Sequence, residues 1–151
     1  MNRKTFFAIV AVLAAIGTGA LAQVKNFVPV TKQMLLNPSP DDWLMYSRTY
    51  DAQRFSPLNQ ITKQNVGKLT QVWKNELAAG TIEIIPLVHN GVMYVEVPVR
   101  ENEMNRIAVQ ALDATNGNLI WQYVRPTGNA ARPKTLAIFE DVVIFAAPDN
   151  Y

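Results

Sequence analysis

From Leu69 onward the hydrophobic positions recur with a period of two. Leu69, Gln71 and Trp73 fall on one face and Thr70, Val72 and Lys74 on the other, and apolar runs follow over 84–88, 92–97 and 107–112. Successive side chains of a strand point to opposite faces, so this alternation predicts strands. Asn90-Gly91 stands between two of the runs and is the residue pair that best supplies the two positive φ angles of a tight hairpin. A second such signal, Asn116-Gly117, follows Asp113, whose carboxylate is placed for an Asx-type turn, and Leu119 to Trp121 resume the extended pattern. The spacing repeats. Trp73 follows Gly67-Lys68-Leu69 as Trp121 follows Gly117-Asn118-Leu119, 48 positions later, and Leu87-Val88 maps onto Ala137-Ile138, 50 positions later. Matched turns at such a period predict an all-β chain of repeated four-stranded antiparallel sheets. The polar stretch Pro98 to Asn105 interrupts the pattern and is expected to form an exposed loop.

The first part of the chain reads differently. Thr31 is placed to cap a short helix, Lys32 to Leu36, that ends before Asn37-Pro38-Ser39-Pro40. Asp41 or Asp42 caps a turn carrying Trp43 and Tyr46, and Thr62 caps a helical turn, Lys63 to Val66, that Gly67 stops. Residues 23–68 are thus expected to form a linker and clasp before the sheets of 69–151. Asn2-Arg3-Lys4, the apolar run Phe6 to Ile16 and the Ala20-Leu21-Ala22 site read together as a cleavable signal peptide over residues 1–22. An uncleaved anchor is the alternative, but the apolar run is shorter than the roughly 20 residues that a spanning helix needs. After cleavage no integral membrane segment is expected, and export is implied.

Composition narrows the chemistry. The 14 basic and 12 acidic residues become 12 and 12 once Arg3 and Lys4 leave with residues 1–22, so no basic footprint for nucleic acid remains. Without cysteine there is no disulfide, no thiolate metal site and no cysteine nucleophile. His89, the single histidine, abuts the Asn90-Gly91 turn with no second imidazole to share a metal, and reads as a turn residue. Asp41-Asp42 and Glu101 with Glu103 lack the spacing of an oxygen-ligand loop and read as solvated carboxylates. Glu83 is different, lying in the apolar, β-branched run 81–86 where a carboxylate is costly to bury without a partner. With 151 residues, and roughly 40 to 50 per blade, the chain accommodates one to two blades and not a closed ring, which leaves edges uncovered and predicts marginal stability alone.

Ala111-Leu-Asp-Ala-Thr-Asn-Gly-Asn-Leu-Ile-Trp121 resembles the eleven-residue tryptophan-docking motif of quinoprotein dehydrogenases, with Asn116 where that family usually has threonine. Asp42 to Tyr46, Tyr50 to Leu58, Ile61, Asn65-Val66, Leu69, Val72-Trp73, Glu83 to Val88, Asn90 to Tyr94, Leu136 to Asp141 and Ala147 to Asp149 are similar, in order, to the opening of the PQQ-dependent alcohol dehydrogenase family. The resemblance implies a partial β-propeller in the periplasm, its blades stapled by Trp73 and Trp121. It further implies oxidation of an alcohol, or a related polyol or sugar, with PQQ (pyrroloquinoline quinone) as hydride acceptor and a cytochrome c or quinone as electron acceptor. By this resemblance Glu83 binds the cofactor, and Lys134 stands where the family commonly has an arginine near the quinone; Arg132 and Thr135 lie beside it. The family's adjacent cysteine pair is replaced by Asn129 to Pro133. Its catalytic aspartate and Ca²⁺ ligands fall beyond Tyr151, so this stretch alone is expected to be inactive. A non-catalytic periplasmic propeller used for protein binding is the alternative, and Glu83 with the Trp43-to-Pro57 prelude separates the two.

Overall fold

A computed structural model of the chain describes residues 26–78, 83–101, 104–125 and 136–146. The Asn90-Gly91 turn does what its composition requires. Both residues have positive φ, +49° and +76°, and they join β1 (Leu87–His89) to β2 (Val92–Glu101) with His89 opposite Val92. β3 (Met104–Asp113) pairs antiparallel with β2 along its whole length, and β4 (Leu119–Val124) pairs with β3 across a bulge at Ala111/Leu112. The result is a meander in the order β1-β2-β3-β4, followed by the hairpin of β5 (Leu136–Phe139) and β6 (Val142–Phe145). One four-stranded blade and two strands of a second are the architecture that the repeat predicts.

Alternation divides the blade into two apolar faces. Leu87, Tyr94, Val109 and Ala111 meet Leu136 and Ile138 of β5, together with Val30 and Leu44 from the N-terminal region. On the opposite face Val95, Val97 and Leu112 pack with Ile84, Met93 and Val99. A sheet apolar on both sides is built to be sandwiched. β5 buries Leu136 and Ile138, whereas β6 leaves Val142 and Ile144 at 50% and 55% exposure.

The expected N-terminal helix forms. Thr31 caps α1 (Lys32–Leu36), its Oγ1 accepting the Met34 N–H at 3.2 Å, and α1 ends at Asn37 before Pro38. Val30 exchanges two backbone bonds with Glu140, and Trp43 two with Val88, so the N-terminal region is tied to both hairpins.

Three expectations are corrected. Pro98 to Asn105 is not a loop: β2 and β3 run on as a hairpin to Glu101 opposite Met104, because Val95, Val97 and Val99 continue the apolar alternation through the polar residues. Pro98 is tolerated there since β1 reaches only as far as Tyr94, leaving this part of β2 an edge. The Thr62 turn forms, its carbonyl accepting the Asn65 and Val66 N–H groups at 3.2 and 2.9 Å, but its cap and its end differ. Asn65 Oδ1 accepts the Thr62 N–H at 2.7 Å, and the 3₁₀ turn covers Val66–Lys68 with Gly67 inside it instead of ending it. Lastly, Leu69 to Trp73 forms no strand among the described residues and leaves Leu69 59% and Val72 86% exposed.

Candidate functional site

The turn at Asp113–Asn118 is a self-contained hydrogen-bonded unit. Asp113 Oδ1 accepts from the Thr115 N–H at 2.8 Å and from its hydroxyl at 2.6 Å, while Oδ2 accepts from Asn116 Nδ2 at 3.0 Å. The Gly117 N–H donates to the Asp113 carbonyl at 2.8 Å, and Asn116 Oδ1 accepts the Asn118 N–H at 2.8 Å. Asn116 thus takes over a side-chain bonding role at the position where the motif usually carries threonine. The Thr115 hydroxyl is the largest of several donors that hold the Asp113 carboxyl below its ordinary value.

Trp73 docks on this turn. Its Nε1–H donates to the Ala114 carbonyl at 3.1 Å, and Asn75 Nδ2 donates to the Gly117 carbonyl at 2.9 Å. A Cβ at Gly117 would stand 2.6 Å from Trp73 Cε3, so the glycine is needed both for its φ of +76° and for the indole that lies over it. Trp121 instead packs into the core against Tyr94, ring centroids 6.1 Å apart.

A second polar cluster joins the clasp to the β1–β2 turn. His89 is 3% exposed, with Nδ1 at 3.1 Å from Asp42 Oδ2 and Nε2 at 2.7 Å from the Val28 carbonyl. Both ring nitrogens face acceptors, so the neutral ring donates to one and only the imidazolium to both. Asp42 Oδ1 accepts the Asn90 N–H at 3.0 Å, Asn90 Nδ2 donates to the Asn26 carbonyl at 3.1 Å, and the Phe27 ring meets His89 edge-on. Reading Asp42 as a solvated carboxylate is therefore corrected: it is half-buried and organises the turn. Its position beside the β1–β2 turn depends on a fold-level contact that sequence spacing does not carry.

Glu83 is exposed, at the start of the segment leading into β1, with Ile84 and Ile85 half-buried behind it. The expected burial cost does not arise, because the Glu83 position is exposed while Ile84 and Ile85 after it are half-buried. Such an accessible carboxylate fits one polar contact to a quinone. Lys134, Arg132 and Thr135 lie outside the described residues. Among the described residues no cluster of three His, Asp or Glu side chains could hold a metal ion. A cleft of about 450 Å³ lies between residues 75–78 and β2–β3, lined by Leu77, Val97, Val99, Leu112 and Leu119, and Glu83 does not line it. The sequence reading also missed three buried charged residues, Arg48 at 8% exposure, Glu96 on β2 at 1% and Arg125 at 6%. Glu96 stands between Tyr94-Val95 and Val97-Pro98, a carboxylate in an apolar run, which is the signal that singled out Glu83.

A four-stranded blade with an indole of the preceding segment docked on its outer turn, followed by a second hairpin, is a partial β-propeller of the quinoprotein type. The chain belongs to the PQQ family described as glucose/ethanol/alcohol dehydrogenase, beta-propeller domain, whose family model matches residues 43–141. It is 40% identical over 119 residues to quinohemoprotein alcohol dehydrogenase ADH-IIG of Pseudomonas putida, covering 77% of this chain and 16% of that protein. It is 45% identical over 85 residues to the dehydrogenase subunit of alcohol dehydrogenase (quinone) of Gluconobacter oxydans strain 621H, covering 56% and 10%. The solved structure of quinohemoprotein alcohol dehydrogenase ADHIIG from Pseudomonas putida HK5 superposes with a TM-score of 0.64 at 34% identity, covering 79% of this chain and 18% of that one. The chain thus spans less than a fifth of the length of each of these three relatives. No helix among the described residues is long and apolar enough to cross a membrane.

Proposed function

We propose that this chain supplies the N-terminal segment of a periplasmic dehydrogenase that oxidises alcohols, or related polyols and sugars, and passes electrons to a cytochrome c or quinone. Membership of the PQQ family, with Trp73 docked on the Asp113–Asn118 turn, is the observation that supports this reading. In it, residues 1–22 are a signal peptide, 23–68 the clasp and 69–151 the incomplete propeller blades. PQQ, when bound, supplies the two-electron sink for the substrate's C–H bond.

The residues of this chain have binding and scaffolding roles in that reaction. Glu83 offers an exposed carboxylate to orient the quinone, and Lys134 pairs a cofactor carboxylate as a point charge. The docked turn fixes the first blade against the segment that leads to Glu83. Ca²⁺ and the general base for alcohol deprotonation belong, in this reading, to residues outside those described.

The test is PQQ titration, with Ca²⁺ present, of the whole dehydrogenase carrying this segment, purified from the periplasm of a PQQ-free host, read by retention of quinone absorbance on gel filtration and by dye-linked alcohol oxidation. Loss of one charged hydrogen bond in Glu83→Ala is expected to raise the PQQ needed for half-saturation by about 10- to 100-fold. Unchanged uptake in Glu83→Ala removes Glu83 from the site. Absence of PQQ uptake together with stable capture of periplasmic proteins supports a non-catalytic propeller instead.

A further inference from the structure

The chain has two Asn-Gly pairs, Asn90-Gly91 and Asn116-Gly117, each with glycine at φ +76°. Asn-Gly is the sequence in which the following backbone nitrogen most readily reaches the asparagine Cγ, since glycine has no side chain to obstruct it and the freest backbone. The fold treats the two pairs differently.

Asn116 is held closed. Its Oδ1 accepts from the Asn118 N–H and its Nδ2 donates to Asp113, while the Gly117 N–H, the nucleophile in such an attack, is engaged by the Asp113 carbonyl at 2.8 Å. The Trp73 indole covers Gly117. Asn90, in contrast, is exposed, and its side chain is held by one bond, Nδ2 to the Asn26 carbonyl at 3.1 Å. Among the described residues no donor holds Asn90 Oδ1 and no acceptor engages the Gly91 N–H.

We propose that Asn90 is a site of spontaneous deamidation that unfastens the N-terminal strap, residues 26–30, from the β1–β2 turn. The Gly91 nitrogen loses its proton to solvent base and attacks Asn90 Cγ. The N–Cγ bond forms, the Cγ–Nδ2 bond breaks, and ammonia leaves. Water then opens the resulting succinimide at either carbonyl to give aspartate or isoaspartate, with no change in oxidation state. The product lacks the Nδ2 donor to Asn26 and places a carboxylate beside Asp42, whose Oδ1 already accepts the Asn90 N–H. Isoaspartate also lengthens the backbone of a two-residue turn that sets His89 opposite Val92. The change removes two of the features that fasten the strap.

The full chain, incubated at mildly alkaline pH and then digested with trypsin, separates the two sites, because the peptide 75–100 contains Asn90 and the peptide 107–134, in which Arg125 and Arg132 precede prolines, contains Asn116. Tandem mass spectrometry locates the exchange of NH₂ for OH, and methyl transfer by a protein isoaspartyl methyltransferase reports isoaspartate. Asn90 is expected to convert about tenfold faster than Asn116, the factor expected when hydrogen bonds must open before attack, and the two rates to converge in concentrated urea. Asp113→Ala is expected to raise the Asn116 rate and leave that of Asn90 unchanged. Equal native rates, or faster conversion at Asn116, overturn the proposal. The release is tested separately by Asn90→Asp, which is expected to speed tryptic cleavage after Lys32 in α1; unchanged cleavage overturns that part.

Discussion

Trp73 donates its indole N–H to the Ala114 carbonyl at 3.1 Å while its ring lies over Gly117, so that one residue of the segment before the blade both caps and covers the turn at the blade's outer edge. The hydrogen bond fixes the direction of approach and the stacked ring supplies the buried area. Neither works without the glycine, whose missing Cβ leaves room for the ring and whose backbone adopts φ +76° without strain.

Gly117→Ala meets both constraints together. A positive-φ strain of about 1–3 kcal/mol adds to the collision with Trp73, and the urea midpoint is expected to fall accordingly. An unchanged midpoint would show that the indole moves aside at no cost.

The two halves of the contact separate in substitutions at Trp73. Trp73→Phe keeps an aromatic ring over the turn and loses the N–H donor, for an expected cost of about 1 kcal/mol. Trp73→Ala loses the packing as well, for which about 3–5 kcal/mol is the upper expectation because the indole is only half-buried. Denaturant titration of both variants distinguishes a stacking contact from a hydrogen-bonded one.

The Asp113 carboxyl gives the turn a pH dependence. Its acidity is increased first by the Thr115 hydroxyl and then by the Thr115 and Asn116 donors. Because the folded value lies below the unfolded one, the stabilisation is present above the unfolded value, about 3.9, and is lost as pH falls through the folded value. Carbon NMR of Asp113 is expected to titrate below that of an unfolded control, and Asp113→Asn to abolish the accompanying change in Trp73 emission. Coincident titration in folded and unfolded chains would contradict this account.

Asp42→Ala leaves the Asn90 N–H and the buried His89 ring without their carboxylate. A destabilisation of about 1–3 kcal/mol is expected, concentrated in faster hydrogen exchange over residues 26–30 and 87–92. Uniformly faster exchange across the blade would instead indicate that the cluster supports the whole sheet.

What the sequence made legible follows from the range of the forces involved. The Asn90-Gly91 hairpin and the Thr31 cap depend on neighbouring residues, and both form where composition places them. The β2–β3 extension was hidden because Arg100, Glu101 and other polar residues in its sequence resemble a loop unless Val95, Val97 and Val99 are read as one face. Trp73 was legible as a blade staple through the family resemblance and its repeat relation to Trp121. The turn it docks on was legible too, through Asn116-Gly117 and the motif over 111–121, but the pairing of Trp73 with Ala114 and Gly117, like the tie from Asp42 to His89, joins distant parts of the chain. Glu83 was legible as an unusual carboxylate, but its exposure depends on where β1 begins, which the apolar run over 84–88 does not mark.

The paired bonds between Val30 and Glu140, each 2.8 Å, join the beginning and the end of the described chain. Val30 precedes its partner by 110 residues in the order of synthesis, so this bridge closes a long loop. Until Glu140 is in place, the Val30 N–H and C=O lack these partners. The strap of residues 26–30 therefore gains its second anchor only after the turn between β5 and β6 has been made.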